Sequence, residues 1–280
     1  MASVSVEDLV AGATLLPGSA QLLALRQHEL PQRDEMCGPF CALLALWAAG
    51  IGGELDQDDV ALAAATVLSP PPRTASLPPG ERGRGDFRLA LPQAVVPSAA
   101  GTAATGVARA VEELSDGQLA AVPASGDWAP EGVHALLRGA GRLDGPVGML
   151  ANIATAELAD HRTGADTLLR YLDTGTDEAA SARWHTGHFV ALAGLIEGPV
   201  GRLVLVADSY RSLGSDGLHL QPVERLTAAL RREGLPPGGV LLVVPADQRP
   251  AAMDVVTSAG LRTQLWDNGS RDAGERPGRS

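Results

Sequence analysis

The sequence predicts an α+β protein in which a central, buried helix near the N-terminus packs on an antiparallel sheet. Three observations carry that expectation. Residues 37–50 are apolar on nearly every side, and a helix of that kind must be buried on every side. Two short apolar runs, 188–195 and 202–208, flank the turn signal Gly198-Pro199 and read as adjacent strands. Segments of helical period fill much of the remaining chain.

Taken in order, residues 5–28 read as a helical segment with Leu9, Leu15, Leu16, Leu22, Leu23 and Leu25 as candidate core contacts. In the helix over 37–50, Pro39 suits the first turn because it has no N–H to donate. Gly50 is the natural stop, since glycine takes the left-handed C′ conformation without penalty. A helix follows over 56–68, with Asp56 as its N-cap. Residues 69–102 contain Pro70-Pro71-Pro72, Pro78-Pro79, Gly80, Gly83 and Gly85 with no period, and read as a long irregular loop or lid. Regular pattern then returns: a helix over 103–115, a strand over 118–123, a helix over 129–139 opening on Pro130, and an apolar strand over 146–153. A helix over 165–172 and a polar loop over 173–183 lead into the strand pair. A helix over 223–232, a strand over 239–244 and a helix over 250–259 complete the pattern. Residues 267–280 are polar and rich in Gly and Arg and read as a disordered tail, leaving one domain over 1–266.

Composition narrows the function. A net charge of −11 over 280 residues disfavours a nucleic-acid or anionic-membrane partner. No apolar run approaches the roughly 18–20 residues of a membrane span, and residues 1–8 lack the basic and apolar regions of a secretory signal. A cytoplasmic protein is expected. Two cysteines make no disulfide framework. All 22 basic residues are arginine, which removes Schiff-base lysines and a Walker-type phosphate lysine. A zinc site using Cys37, Cys41 and a histidine lacks a second close pair, so neither metal nor cofactor is expected.

Cys37 lies at the N-terminal tip of the buried helix, where free N–H groups and the macrodipole favour thiolate. The neighbouring Asp34 and Glu35 would oppose this if they pointed inward. A thiolate nucleophile needs a base, and the base an orienting acceptor. Of six histidines, His188 alone opens an apolar strand, in Gly187-His188-Phe189-Val190-Ala191-Leu192. Asp208 closes the next strand, in Ala207-Asp208-Ser209-Tyr210. If the two strands are antiparallel neighbours, Asp208 lies beside His188 and can fix its tautomer. Trp128, Trp184, Phe189 and Tyr210 are candidate cleft aromatics.

These three motifs, with Cys37-Gly38-Pro39-Phe40-Cys41 first, resemble the papain-like cysteine peptidase superfamily, and most closely its C39-like, bacteriocin-processing peptidases. The resemblance implies a papain-like fold and a Cys37-His188-Asp208 triad acting on a peptide or protein substrate through a thioester. It also implies a glutamine before the cysteine that helps to stabilise the oxyanion, here Gln32, with the Cys37 N–H as second donor. Gln32 stands one residue nearer the cysteine than the family pattern, and the insertion before His188 is longer than in compact C39 domains. Cys41 corresponds to a structural position in the core. Hydrolysis, acyl transfer or transpeptidation on the same triad, and a non-catalytic peptide-binding module, all remain open to such a chain, as does its oligomeric state.

Overall fold

Strands that are apolar at every position need cover on both faces, and this sheet has it. The computed structural model describes residues 4–70 and 77–270 and is α+β, built on an open antiparallel sheet. The strands are β1 (Thr14–Leu15), β2 (Leu119–Ala124), β3 (Gly148–Ala154), β4 (Gly187–Glu197), β5 (Arg202–Ala207), β6 (Leu218–Pro222) and β7 (Gly239–Pro245). They lie in the order β2-β7-β3-β4-β5-β6, with β1 pairing onto β4. The helices are α1 (Val6–Ala11), α2 (Ser19–Leu25), α3 (Cys37–Ala48), α4 (Gln57–Ala63), α5 (Ala104–Leu114), α6 (Pro130–Ala140), α7 (Ala165–Thr174), α8 (Val223–Arg231) and α9 (Arg249–Ser258).

The period of two along each strand sorts its side chains into two cores. Leu150, Phe189, Ala191, Leu203, Leu205 and Leu241 point to one face and join Phe40, Leu43, Leu44 and Leu46 of α3. Their alternates, among them Met149, Ala151, Val190, Leu192, Val204 and Leu242, point to the other and join α6, α8 and α9. Leu43, Leu44 and Leu46 are wholly buried. At about 1.5–3 kcal/mol for each buried side chain of this size, they anchor α3 on the sheet. The helix stops as expected, with Gly50 at a φ of 77° just beyond the C-cap.

Several expectations are corrected. The segment 5–28 is not one helical unit: Gly12, Pro17 and Gly18 interrupt it, and Thr14–Leu15 becomes a strand on β4. Leu9, Leu16 and Leu22 are buried, whereas Leu15 is exposed. The helix over 56–68 has the expected Asp56 cap, in a full capping box. It ends at Ala63, because Ala65 turns left-handed and Val67 bridges to Gly101. Strand β6 was not expected. Within the stretch 267–280, Asn268 is buried, as is Trp266 just before it, and Asn268 Nδ2 donates to the Thr102 carbonyl at 3.0 Å. Residues 271–280 lie outside the described residues, as do 71–76 of the expected loop. Among the described residues no helix is long and apolar enough to cross a membrane.

From residue 77 to 102 the chain is irregular but pinned. The Asp34 carboxylate accepts from the Arg84 N–H at 2.9 Å, and Arg84 Nη1 donates to the Pro31 carbonyl at 2.6 Å. Asp58, wholly buried at the start of α4, accepts from the N–H groups of Arg88 and Leu89 and lies 3.2 Å from Arg33 Nη1. Removing the Asp58 carboxylate takes the nearest of several anions from the buried Arg33 and leaves the Arg88 and Leu89 N–H groups without their acceptor. Asp58→Ala is therefore expected to lower unfolding free energy in urea by about 3 kcal/mol. Arg138→Ala, which breaks the exposed pair with Glu197, should cost under about 1 kcal/mol. Equal losses in the two variants would show that Asp58 does not hold the loop down.

Candidate active site

The strand register brings the expected residues together. β4 and β5 are antiparallel, with Ala191 opposite Ala207, so the start of one strand lies beside the end of the other. His188 Nε2 is 3.1 Å from Asp208 Oδ1, and the two side chains are each 2% exposed. α3 packs across β3 and β4 and points its N-terminus at this end of the sheet. Its first residue, Cys37, lies beside the His188 ring, close enough for each group to shift the ionisation of the other. With Nε2 turned to Asp208, Nδ1 is the ring nitrogen left to face the sulfur. Gly38 lets α3 pack closely against α5. A Cβ there would meet Val107 Cγ2 at 2.9 Å.

The carboxylate of Asp208 is heavily solvated by the protein. Oδ1 also accepts from the N–H groups of Ser209 at 2.7 Å and Tyr210 at 3.3 Å, and Oδ2 lies 3.8 Å from His219 Nε2. Behind it, the buried Arg26 donates from Nη1 to the Asp208 carbonyl at 3.1 Å. Burial alone would raise the Asp208 carboxyl, but the charge and hydrogen bond of His188 outweigh it and hold the group far below the usual carboxylate range. Burial would likewise favour a neutral His188. The Asp208 charge and hydrogen bond, then the Cys37 sulfur, push it up instead to about 10. For Cys37, burial opposes ionisation, yet the His188 hydrogen bond and charge and the N–H groups of Phe189 and Gly38 bring the thiol below its ordinary value. Both shifts favour the thiolate–imidazolium form of the pair over the neutral one.

Gln32 joins the same group. Its Oε1 accepts from Ser209 Oγ at 2.5 Å, and its backbone N–H donates to the Ser209 carbonyl at 3.0 Å. That contact turns the amide nitrogen away from Ser209, and Nε2 makes one long bond, 3.3 Å, to the Arg33 carbonyl. Gln32, Cys37 and His188 line one cavity of about 510 Å³. Asp34 and Glu35 also line it, but their carboxylates are engaged by the N–H groups of Arg84 and Ser69. Neither is among the main causes of the Cys37 shift.

Three of the four candidate aromatics reach the cleft. Trp184 meets the His188 ring edge-on with centroids 4.8 Å apart, Tyr210 stacks on the ring at 6.0 Å and itself meets Trp184 edge-on, and Phe189 lines the wall. Trp128 does not, being buried in the opposite core with its Nε1 3.4 Å from the Gly238 carbonyl. Cys41 is wholly buried in the core and its thiol is raised well above the ordinary value, burial being the main cause. Among the described residues no three His, Cys, Asp or Glu side chains are grouped to hold a metal ion. Four contributors were not anticipated: Arg26, Ser209, His219 and Arg232. Ser209 had a signal in its position beside Asp208. His219 carries no comparable local signal and is buried on β6.

The model of a family of unknown function, DUF6885, matches residues 16–267, and the chain belongs to that family. No curated protein and no solved structure matches it significantly.

The electrostatics set a pH signature. His188 is raised on folding, so its contribution to stability is complete below the ordinary imidazole value of about 6.5 and is lost as pH rises through about 10. Asp208 is lowered, so its contribution is complete above the ordinary carboxyl value of about 3.9 and is lost only in strong acid. Asp208→Asn removes the support of the imidazolium. NMR titration of the His188 ring should then show its pKa fall from about 10 to about 6.5 or below, and the onset of Cys37 thiolate absorbance should move to higher pH with it. A ring that still titrates near 10 in this variant would show that Asp208 is not its partner.

Proposed function

We propose that this chain is a papain-like thiol hydrolase acting on a peptide or amide bond. The observation that carries the reading is the meeting of Cys37, His188 and Asp208, remote in sequence, at one end of the sheet with Gln32 beside them. That set of groups, and the order in which the chain supplies them, supports kinship with the papain-like superfamily.

Each step draws on a named group. The Cys37 thiolate attacks the carbonyl carbon and forms a tetrahedral oxyanion. The Gln32 amide and the Cys37 N–H, a first-turn donor with no partner inside the helix, stabilise that charge. His188 then gives its Nδ1 proton to the leaving amine, the C–N bond breaks, and a thioester remains. Neutral His188 takes a proton from water, hydroxide attacks the thioester, and collapse releases the carboxylic acid and restores the thiolate–imidazolium pair. Asp208 stays ionised and keeps the ring oriented, as in other triads. Trp184 and Tyr210 shield the His188–Asp208 contact from water, which strengthens it. An amine in place of water would make the same groups an acyltransferase.

Cys37→Ala is expected to abolish both turnover and iodoacetamide labelling at neutral pH. Gln32→Ala should keep rapid labelling but lower kcat by about 10²–10³, the usual loss of one oxyanion donor. Peptide turnover is the measurement. Full activity in Cys37→Ala removes the mechanism, and slow, ordinary thiol labelling of the unaltered protein near pH 6 favours the binding-module reading instead.

A further inference from the structure

Arg232 is a buried cation for which the fold provides no anion. It follows the last turn of α8, on the sheet face opposite α3, and takes a left-handed φ of 52°. From there its side chain crosses the end of the sheet into the cavity that holds Cys37. Two neutral oxygens meet Nη1: Asn152 Oδ1 at 2.6 Å and the Asn268 carbonyl at 3.3 Å. Nε is buried with no partner, and the residue is 5% exposed.

Other buried arginines in this chain are treated differently. Arg33 is surrounded by Glu29, Asp56 and Asp58. Arg26 bonds two carbonyls and lies near Asp208 and Asp216. The chain has 33 acidic residues, yet among the described residues none forms an ion pair with Arg232. Burial lowers its pKa, and the one charge that opposes the shift is the Cys37 thiolate. Leaving a buried guanidinium so poorly compensated is unfavourable, and an incoming anion would relieve it. Gly187 makes room for the guanidinium itself, since a Cβ there would fall 2.5 Å from Arg232 Nη2. In the same wall, Asn268 Oδ1 is buried without a donor, as an acceptor for a substrate N–H would be.

We infer that Arg232 is the specificity-determining residue of this cleft, and that the substrate is an acidic peptide whose carboxylate pairs with Arg232 beside the sulfur. The word substrate rests on the hydrolase reading; the anion site does not. Asp34 and Glu35 line the cavity as well and repel a carboxylate, so the charge pattern orients the peptide. The carboxylate belongs either to an Asp or Glu side chain or to a C-terminus.

Iodoacetate and iodoacetamide test this directly, because they alkylate a thiolate by the same displacement of iodide and differ in charge. Their rates at Cys37, located by mass spectrometry, are compared in the full chain, Arg232→Gln and Arg232→Lys. His188 favours iodoacetate in all three and cancels. The iodoacetate-to-iodoacetamide ratio should fall about tenfold in Arg232→Gln, the scale of one partly screened charge interaction. Arg232→Lys should retain most of it. An unchanged ratio in folded Arg232→Gln overturns the anion site and leaves the nucleophile intact. A Cys37 no faster than free cysteine near pH 6 sinks the hydrolase reading, and the ratio is still readable near the ordinary thiol pKa of about 8.5. If Arg232→Gln does not fold, protection of Cys37 in the unaltered protein decides. N-acetylglutamate α-amide carries only the side-chain carboxylate, N-acetylglutamine only the α-carboxylate, and N-acetylglutamine amide neither. Protection by one acid and not by the amide supports the site and identifies the source of the carboxylate. Equal behaviour of all three overturns it.

Discussion

A carboxylate and an imidazole, each almost sealed from water, face one another at the end of the sheet, and the surrounding structure is arranged around that fact. Taking such ions out of water costs several kcal/mol apiece unless the protein replaces the lost solvation. Asp208 receives that replacement from the His188 ring, two backbone N–H groups and the nearby His219. Its own carbonyl is held by Arg26, which reaches it from the short helical turn after α2. Each donor fixes another segment: the turn after β5, the strand β6, the chain leading to Cys37. The local polarity of this region is thus also what registers the strands.

The second consequence concerns geometry. A sheet covered on both faces leaves its ends as the place where groups from both layers can meet. α3 delivers Cys37 from one face, β4 and β5 deliver His188 and Asp208 from within the sheet, and α8 delivers Arg232 from the other face. All are carried at the termini of regular elements, where side chains leave the packed core but the backbone that aims them does not move freely. Position on rigid elements is what a site needs to hold a sulfur and an imidazole in contact.

Much of this was legible in the sequence, and the reasons are specific. The helix over 37–50 could be read because it is apolar all round and closed by Gly50. β4 and β5 could be read because Gly198-Pro199 separates two apolar runs, and their adjacency placed His188 near Asp208 before any coordinates. The apolar runs read as strands over 146–153 and 239–244 are β3 and β7, and their continuous apolarity is accounted for by cover on both faces of the sheet. β6 was hidden because Leu218 and Leu220 alternate with His219 and Gln221, whose burial depends on partners far away: Ala159 for Gln221, Asp208 for His219. Arg232 was hidden for a similar reason. At the end of an amphipathic helix an arginine complements the helix dipole, and nothing local distinguishes that role from a side chain that turns back into a cavity.

Ser209 adds a coupling that no pair of residues shows alone. Its hydroxyl donates to Gln32 Oε1 at 2.5 Å and lies 3.4 Å from both His188 Nε2 and Asp208 Oδ1. One small side chain therefore sets the direction of the proposed oxyanion donor and touches the proposed base and its partner. Groups joined in this way do not contribute independently. Loss of the hydroxyl frees the Gln32 amide to rotate and leaves a buried acceptor without its donor, so the effect on oxyanion stabilisation exceeds what the distance of Ser209 from the sulfur implies. By the same logic, damage at Gln32 and at Ser209 falls on a single interaction, and the second loss adds little to the first. Under the proposed reading, the acid–base side and the oxyanion side of the cleft are parts of one hydrogen-bonded unit, held by the buried pair that the sheet was built to accommodate.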